Sequence, residues 1–281
     1  MRWLVVGAQG MLGTDLTALL RDRGEAEDGV DRDSLDITDP GATLGAAAGY
    51  DVVVNCAAYT AVDRAEEDEA AAFAVNAVGA ANLARAAHRG GARMVQISTD
   101  YVFDGTAVAP YAETAPIGPR SAYGRTKAAG EWAVRAECPD HLVVRTAWLY
   151  GANGPCFPST IVRVLRERGG ADVVVDQVGQ PTWTVDLADL VERLVRADAP
   201  AGTYHGTSSG QTSWYGFARA AAAAAGVDPA AVRETTSEGF VRPAPRPAYS
   251  VLGHGALRSM GVDPIGDWAA RWRAAAPEVF G

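Results

Sequence analysis

No stretch of this 281-residue chain approaches the run of about 18 apolar residues that a membrane span requires, although 48% of its residues are hydrophobic. The apolar stretch near the start, "RWLVV", is too short for the core of a signal peptide, so a cytoplasmic location is expected. Cysteine is scarce. Cys56, Cys138 and Cys156 are odd in number and far apart, with no CxxC, a pattern that makes neither a disulfide framework nor a zinc site. Positive charge is lacking as well: 25 Lys and Arg against 34 Asp and Glu leave a net charge of −9. That balance argues against a nucleic-acid or membrane surface, and an anionic ligand would have to be held by a local device. No internal repeat is visible.

What the chain does have is an alternation of short β-rich runs and helical segments. "RWLVVG" leads to "GMLGTDLTALLRDRG", "DVVVNCA" to "EAAAFAVNAVGAANLARAAHRGG", and "RMVQIS" to a helix rich in Ala, Lys, Arg and Glu around Tyr123; "HLVVRTAW" is a further strand. Buried strands each followed by a helix predict an α/β fold with a parallel sheet covered on both faces. After about residue 152 the rhythm loosens. Helices over "CFPSTIVRVLRERGG", "WTVDLADLVERLVRADAP" and "SWYGFARAAAAAAG", short strands at "ADVVVDQ" and "GTYHG", and a Pro-rich loop "VRPAPRP" precede a last helix near "DWAARWRAAAP". This half is expected to form a smaller lobe packed over the sheet edge. Residues 1–151, with parts of the later chain, would make the first domain and residues 152–281 mainly the second.

Gly7, Gly10 and Gly13 fall at three-residue intervals where the first strand gives way to the first helix. Glycines there allow a tight turn and a close backbone approach to a pyrophosphate, and the helix N-terminus adds free N–H groups and partial positive charge. This is a local device by which an acidic protein can hold a dinucleotide. Further on, Asn55, Ala57, Ala58 and Tyr59 follow the third strand, and "STDY" (98–101) follows the fourth; in open parallel sheets ligands lie beyond these strand ends. In "SAYGRTKAAGE" Tyr123 and Lys127 are four apart and share a helix face. Alone, that spacing is short and common and also fits two surface neighbours. A nearby positive charge would lower a phenol from its ordinary pKa of about 10, which gives the spacing a chemical use.

The GxxGxxG turn, a hydroxyl at Thr99 and the Tyr123–Lys127 pair, in this order, resemble the extended short-chain dehydrogenase/reductase superfamily. The resemblance implies a Rossmann-type doubly wound parallel sheet with a smaller C-terminal substrate-binding lobe, and Thr99, Tyr123 and Lys127 as the catalytic triad. Gly10, Met11 and Leu12 would meet the cofactor pyrophosphate, Asp36 and Ile37 the adenine, and Lys127 also the nicotinamide ribose. Asp31 would accept from the adenosine ribose and favour NADH, whereas Arg32 would pair with a 2′-phosphate and favour NADPH. The choice stays open.

"AAYTAVDRAE" (57–66), "STDYVFDG" (98–105), "YGRTKAAGE" (123–131), "RTAWLYG" (145–151), "DQVGQPT" (176–182), "GTYH" (202–205) and "RPAYSVL" (246–252) are similar, nearly end to end, to the dTDP-4-dehydrorhamnose reductase family. That similarity implies NAD(P)H-dependent reduction of the C4 ketone of a dTDP-4-keto-6-deoxy sugar, with Tyr123 as proton donor. Thr60, Val62, Thr99, Asp100, Tyr101, Tyr123, Trp148 and Arg246 would meet the substrate, although Trp148 also reads as a core aromatic and Arg246 as a surface cation. Some relatives hold a metal between subunits through glutamates where this chain has Asp15 and Val185, so no metal is expected. Gly253 stands where relatives often carry an aspartate. Dehydratases of the superfamily place Asp then Glu after the hydroxyl residue, whereas Thr99 is followed by Asp100 and Tyr101. The alternatives are a 4-ketoreductase of a different dTDP-deoxysugar and a non-catalytic NAD(P)-binding regulatory subunit. A homodimer is compatible with the chain.

Overall fold

The apolar runs of the first half become strands buried on both faces. In the computed structural model, which describes residues 1–281, these strands are β1 (Arg2–Val6), β2 (Ala26–Val30), β3 (Val52–Asn55), β4 (Arg93–Thr99) and β5 (His141–Thr146). With β7 (Gly202–His205) they form one six-stranded sheet in the order β7-β5-β4-β3-β1-β2, every pairing parallel. Successive side chains leave a strand on opposite faces. Trp3 and Val5 therefore join a cluster with Leu16 and Leu20 of helix α1 (Met11–Asp22) and Leu187, Leu190 and Leu194 of α5 (Thr184–Arg196). Leu4 and Val6 point the other way, toward Leu83 of α2 (Ala80–Gly90) and Val134 of α3 (Ala122–Glu137).

A third cluster lies outside the sheet. It joins Tyr150 and Trp183 to α4 (Phe157–Arg168), α6 (Trp214–Ala224) and α7 (Trp268–Phe280) through Ile161, Leu165, Phe217 and Trp272. β6 (Ala171–Val174) here pairs in parallel with β8 (Val232–Thr235).

Four features depart from or add to the sequence reading. "GTYH" is the sixth strand of the main sheet and not part of a separate lobe, because His205 and its neighbours pair with β5. β1 lies one strand in from the edge, so the order reverses between β1 and β3. "AEDGV" is a strand despite its composition; as an edge strand paired only with β1 it leaves Glu27 and Asp28 facing solvent or ion pairs. The segment read as one helix over 69–91 is broken at Ala74–Gly79 into a π-helical stretch between two α-helical ones.

Candidate active site

A cleft of about 1100 Å³ opens at the carboxyl ends of β1, β3, β4 and β5. At one end is the turn between β1 and α1. Gly7 has φ +80, and a Cβ there would lie 2.7 Å from the backbone nitrogen of Ala57. A Cβ on Gly13 would meet the Gly7 carbonyl at 2.1 Å. Only glycine permits this packing. Gly10 caps α1 without a side-chain bond, and the first turn carries no acid, so the first N–H groups of α1 have no side-chain partner. Asp31 Oδ2 accepts from the Gln9 N–H at 2.8 Å, tying the end of β2 to the turn. Arg32 and Asp36 line the same end, and Asp36 Oδ1 accepts from the Thr38 amide and hydroxyl. Ile37 packs so closely on Gly79 that a Cβ there would come within 2.6 Å of it. These features fit an adenine dinucleotide: uncapped N–H groups for a pyrophosphate and a cradle that a methyl group would fill.

At the other end the two predicted catalytic elements meet. Thr99 ends β4, and its hydroxyl donates to Asp100 Oδ1 at 2.9 Å while accepting from the Tyr101 N–H. Tyr123 sits in the first turn of α3, whose N-cap Ser121 accepts from the Gly124 N–H. Its ring meets that of Tyr101 edge-on, 5.5 Å between centroids. Burial pushes the Tyr123 phenol up to about 12, with the Thr99 hydroxyl acting in the opposite sense. Lys127 is buried one turn on, its ammonium donating to the Ile97 carbonyl at 2.7 Å. Burial lowers it to about 8, and the Glu131 carboxylate acts to raise it. The expected draw of Lys127 on the Tyr123 pKa is therefore not what sets it; desolvation is. A phenol held protonated at neutral pH has a proton to give.

Of the residues singled out in the sequence, Gly7, Gly10, Met11, Leu12, Gly13, Asp31, Arg32, Asp36, Ile37, Ala57, Ala58, Tyr59, Thr60, Val62, Thr99, Asp100, Tyr101, Tyr123, Lys127 and Trp148 all line this one cleft. Arg246 does not. Its guanidinium pairs with Asp63 at 3.0 Å, and its charge acts to lower the phenol of Tyr101 on the cleft wall. Trp148 is a cleft wall rather than core: it is half-buried, has φ 47, and stacks on Trp214 with 3.6 Å between ring centroids. A bulky residue in that backbone region marks local strain of the kind found at binding sites. At the two positions where some relatives would place metal ligands, Asp15 accepts from Asn153 and Val185 packs against the third cluster.

Three contributors went unread in the sequence. Trp214 carries no signal beyond being aromatic. Asn76, in the π-helical stretch, accepts from the Tyr59 N–H at 2.8 Å and donates to the Tyr59 carbonyl and the Thr126 hydroxyl. Glu131, one turn past Lys127, receives Arg145 through two bonds of 2.8 and 2.7 Å, with Ser98 at 2.6 Å. Its spacing from Lys127 was the available clue.

The chain matches the model of the RmlD substrate binding domain over residues 1–279. It is 50% identical to a dTDP-4-dehydrorhamnose reductase of Streptomyces griseus, over 99% of this chain and 93% of that one. It is 48% identical to a probable dTDP-4,6-dihydroxy-2-methyloxan-3-one 4-ketoreductase of Streptomyces antibioticus, over 100% and 96%. The crystal structure of dTDP-4-dehydrorhamnose reductase from Bacillus anthracis in complex with NADP superposes with a TM-score of 0.95 at 35% identity, covering 99% of each chain. With a family match that spans nearly every residue and a fold that superposes over 99% of the chain, the chain belongs to the RmlD substrate binding domain family.

Proposed function

We propose that this protein reduces the C4 ketone of a dTDP-4-keto-6-deoxyhexose with NADPH. The observation that carries the reading is the convergence of the Thr99 hydroxyl, the Tyr123 phenol and the Lys127 ammonium on the cleft whose other end is the uncapped glycine turn. When bound, the nicotinamide supplies the hydride to the carbonyl carbon. Tyr123 gives its phenolic proton to the carbonyl oxygen, and Thr99 donates a hydrogen bond to that oxygen as charge develops. Lys127 holds the nicotinamide ribose and, brought near the phenol, stabilises the phenolate left behind. Thr60, Val62, Tyr101 and Trp148 would form the walls against the sugar and its nucleotide. The NADP complex of the Bacillus anthracis relative and the exposed Arg32 guanidinium at the adenine end both favour the phosphorylated cofactor.

Two relatives are named for different dTDP sugars, one of them as a probable ketoreductase, so a second dTDP-4-keto sugar is the natural competing substrate. Loss of NADPH absorbance on adding a panel of dTDP-4-keto-6-deoxy sugars, with the products identified by NMR, tests the reading. Tyr123→Phe should lower turnover about 10²–10⁴-fold while NADPH still binds. Tight NADPH binding without oxidation by any sugar of the panel would instead mark a regulatory subunit.

A further inference from the structure

Two carboxylates are buried beside the catalytic triad, and their surroundings are opposite. Glu131 is 0% exposed and is paired with Arg145 and Arg135, with a hydrogen bond from Ser98. Its carboxyl, although burial alone would raise it, is held below the usual range by these partners. Asp100 is 2% exposed and has no cation. Its neighbours are the hydroxyls of Thr99 and Ser250 and the backbone of Tyr101. The titratable groups that face it are the phenols of Tyr101 and Tyr123. Lys127 and Arg246 are committed elsewhere, Lys127 to the Ile97 carbonyl and Arg246 to Asp63. Asp100 Oδ2 has no hydrogen-bond partner within bonding geometry.

A buried carboxylate without a cation costs several kcal/mol, and the usual relief is to take up a proton. The consequence reaches the reaction through one hydrogen atom. Thr99 has a single O–H, and while Asp100 is ionised that hydrogen is engaged by Asp100 Oδ1 at 2.9 Å and is not available to a substrate oxygen. If Asp100 carries the proton, the bond reverses: the carboxylic O–H donates to Thr99 Oγ1, and the Thr99 hydrogen is freed for the substrate oxygen.

We infer that Asp100 is a positioning residue that works in its neutral, protonated form, aiming the Thr99 hydroxyl at the reacting carbonyl oxygen. No proton is consumed by this role. The inference rests on the proposed ketoreductase reading, and it accounts for an acid following the hydroxyl residue in a protein that has no water to eliminate. Burial moves the carboxyl up to about 6.

The test uses the full chain, NADPH and whichever dTDP-4-keto-6-deoxy sugar it turns over. In the wild type kcat should fall as pH rises through the Asp100 pKa of the complex, at or above about 6. Asp100→Asn is neutral at every pH and keeps a donor for Thr99 Oγ1. It should abolish that alkaline limb and lower kcat less than about tenfold, whereas Asp100→Ala should lower kcat by about 10²-fold or more with little change in KM. The limb persisting in Asp100→Asn, or Asn proving as damaging as Ala, overturns the inference and leaves the ketoreductase reading intact. A readout independent of turnover is the infrared carbonyl stretch of a protonated carboxylic acid. In the difference between wild type and Asp100→Asn, which cancels the other carboxyls, it should be present at pH 5 and diminish toward pH 8. Its absence from that difference at pH 5 also overturns the inference, even if no sugar is turned over.

Discussion

Asp31 and Arg32, adjacent at the end of β2, set a carboxylate and a guanidinium side by side on the cleft. The Asp31 carboxylate is partly committed to the Gln9 N–H, so it braces the glycine turn whichever dinucleotide binds. Arg32 is exposed on the cleft rim with its charge felt by Asp36, and it is free to meet a phosphate. A charge-assisted hydrogen bond is worth about 1.5–3 kcal/mol, or roughly one to two decades in affinity. Arg32→Ala should therefore weaken NADPH by about 10–100-fold and leave NADH nearly unchanged, as measured by fluorescence titration of each. Equal losses for both cofactors would assign Arg32 to structure instead. The pair was visible in the sequence, but its division of labour was not, because the Gln9 bond depends on where β2 ends relative to the turn. The setting of Arg246 was hidden in the sequence for a related reason. Its partner Asp63 lies 183 positions earlier, and no local pattern announces an ion pair of that kind.

At the scale of elements, α3 carries the phenol and the lysine and is seated through two glycines. A Cβ on Gly124 would lie 2.3 Å from the Tyr101 carbonyl oxygen, and one on Gly130 would lie 2.1 Å from that of Asn76. The helix thus rests against backbone, on the β4 end at one point and on the π-helical stretch at the other. Gly130→Ala would gain helix propensity, yet the contact is with a carbonyl that Asn76 cannot rotate away. The variant should lose about 1–3 kcal/mol in urea unfolding and lower kcat as Tyr123 and Lys127 shift. Unchanged stability and turnover would mean that the two helices slide apart freely. The strands and helices here were legible because their apolar residues recur with the period of each element and are buried on that side. The π-helical break was not. It follows from Asn76 bonding Tyr59, 17 residues back, and Thr126, 50 residues on, and nothing in "AVNAVG" itself disfavours a plain α-helix. The edge strand "AEDGV" was obscured for the opposite reason, since its polar residues are tolerated where only one side is paired.

Over the whole molecule, β7 draws the second half of the chain into the sheet and brings two histidines into the interior. His205 faces the Gly253 carbonyl through Nδ1 at 2.7 Å, and His254 Nε2 meets the Thr207 hydroxyl at 2.9 Å. Burial is the first cause that lowers both, His205 to about 3, with the Arg145 charge adding to it, and His254 to about 4. An unfolded histidine takes up its proton near pH 6.5. Between about pH 6 and 5 the unfolded chain therefore binds two protons that the native protein refuses, and stability falls on acidification. Asp100 works in the other direction, because its folded carboxyl protonates near 6 and its unfolded one only near 3.8. From these three groups, two protons against one leave a net loss of about 1.4 kcal/mol per pH unit over that window. His254→Gln, which keeps a donor and acceptor for Thr207, removes one of the two opposing histidines. Its stability at its own optimum should be lower, but its urea-unfolding free energy should be nearly flat between pH 6 and 5, because one histidine then cancels against one aspartate. Asp100→Asn should do the reverse and steepen the wild-type slope toward about 2.8 kcal/mol per pH unit, the value for two uncompensated histidines. A common slope in wild type and both variants would mean that these three buried groups do not govern the acid response.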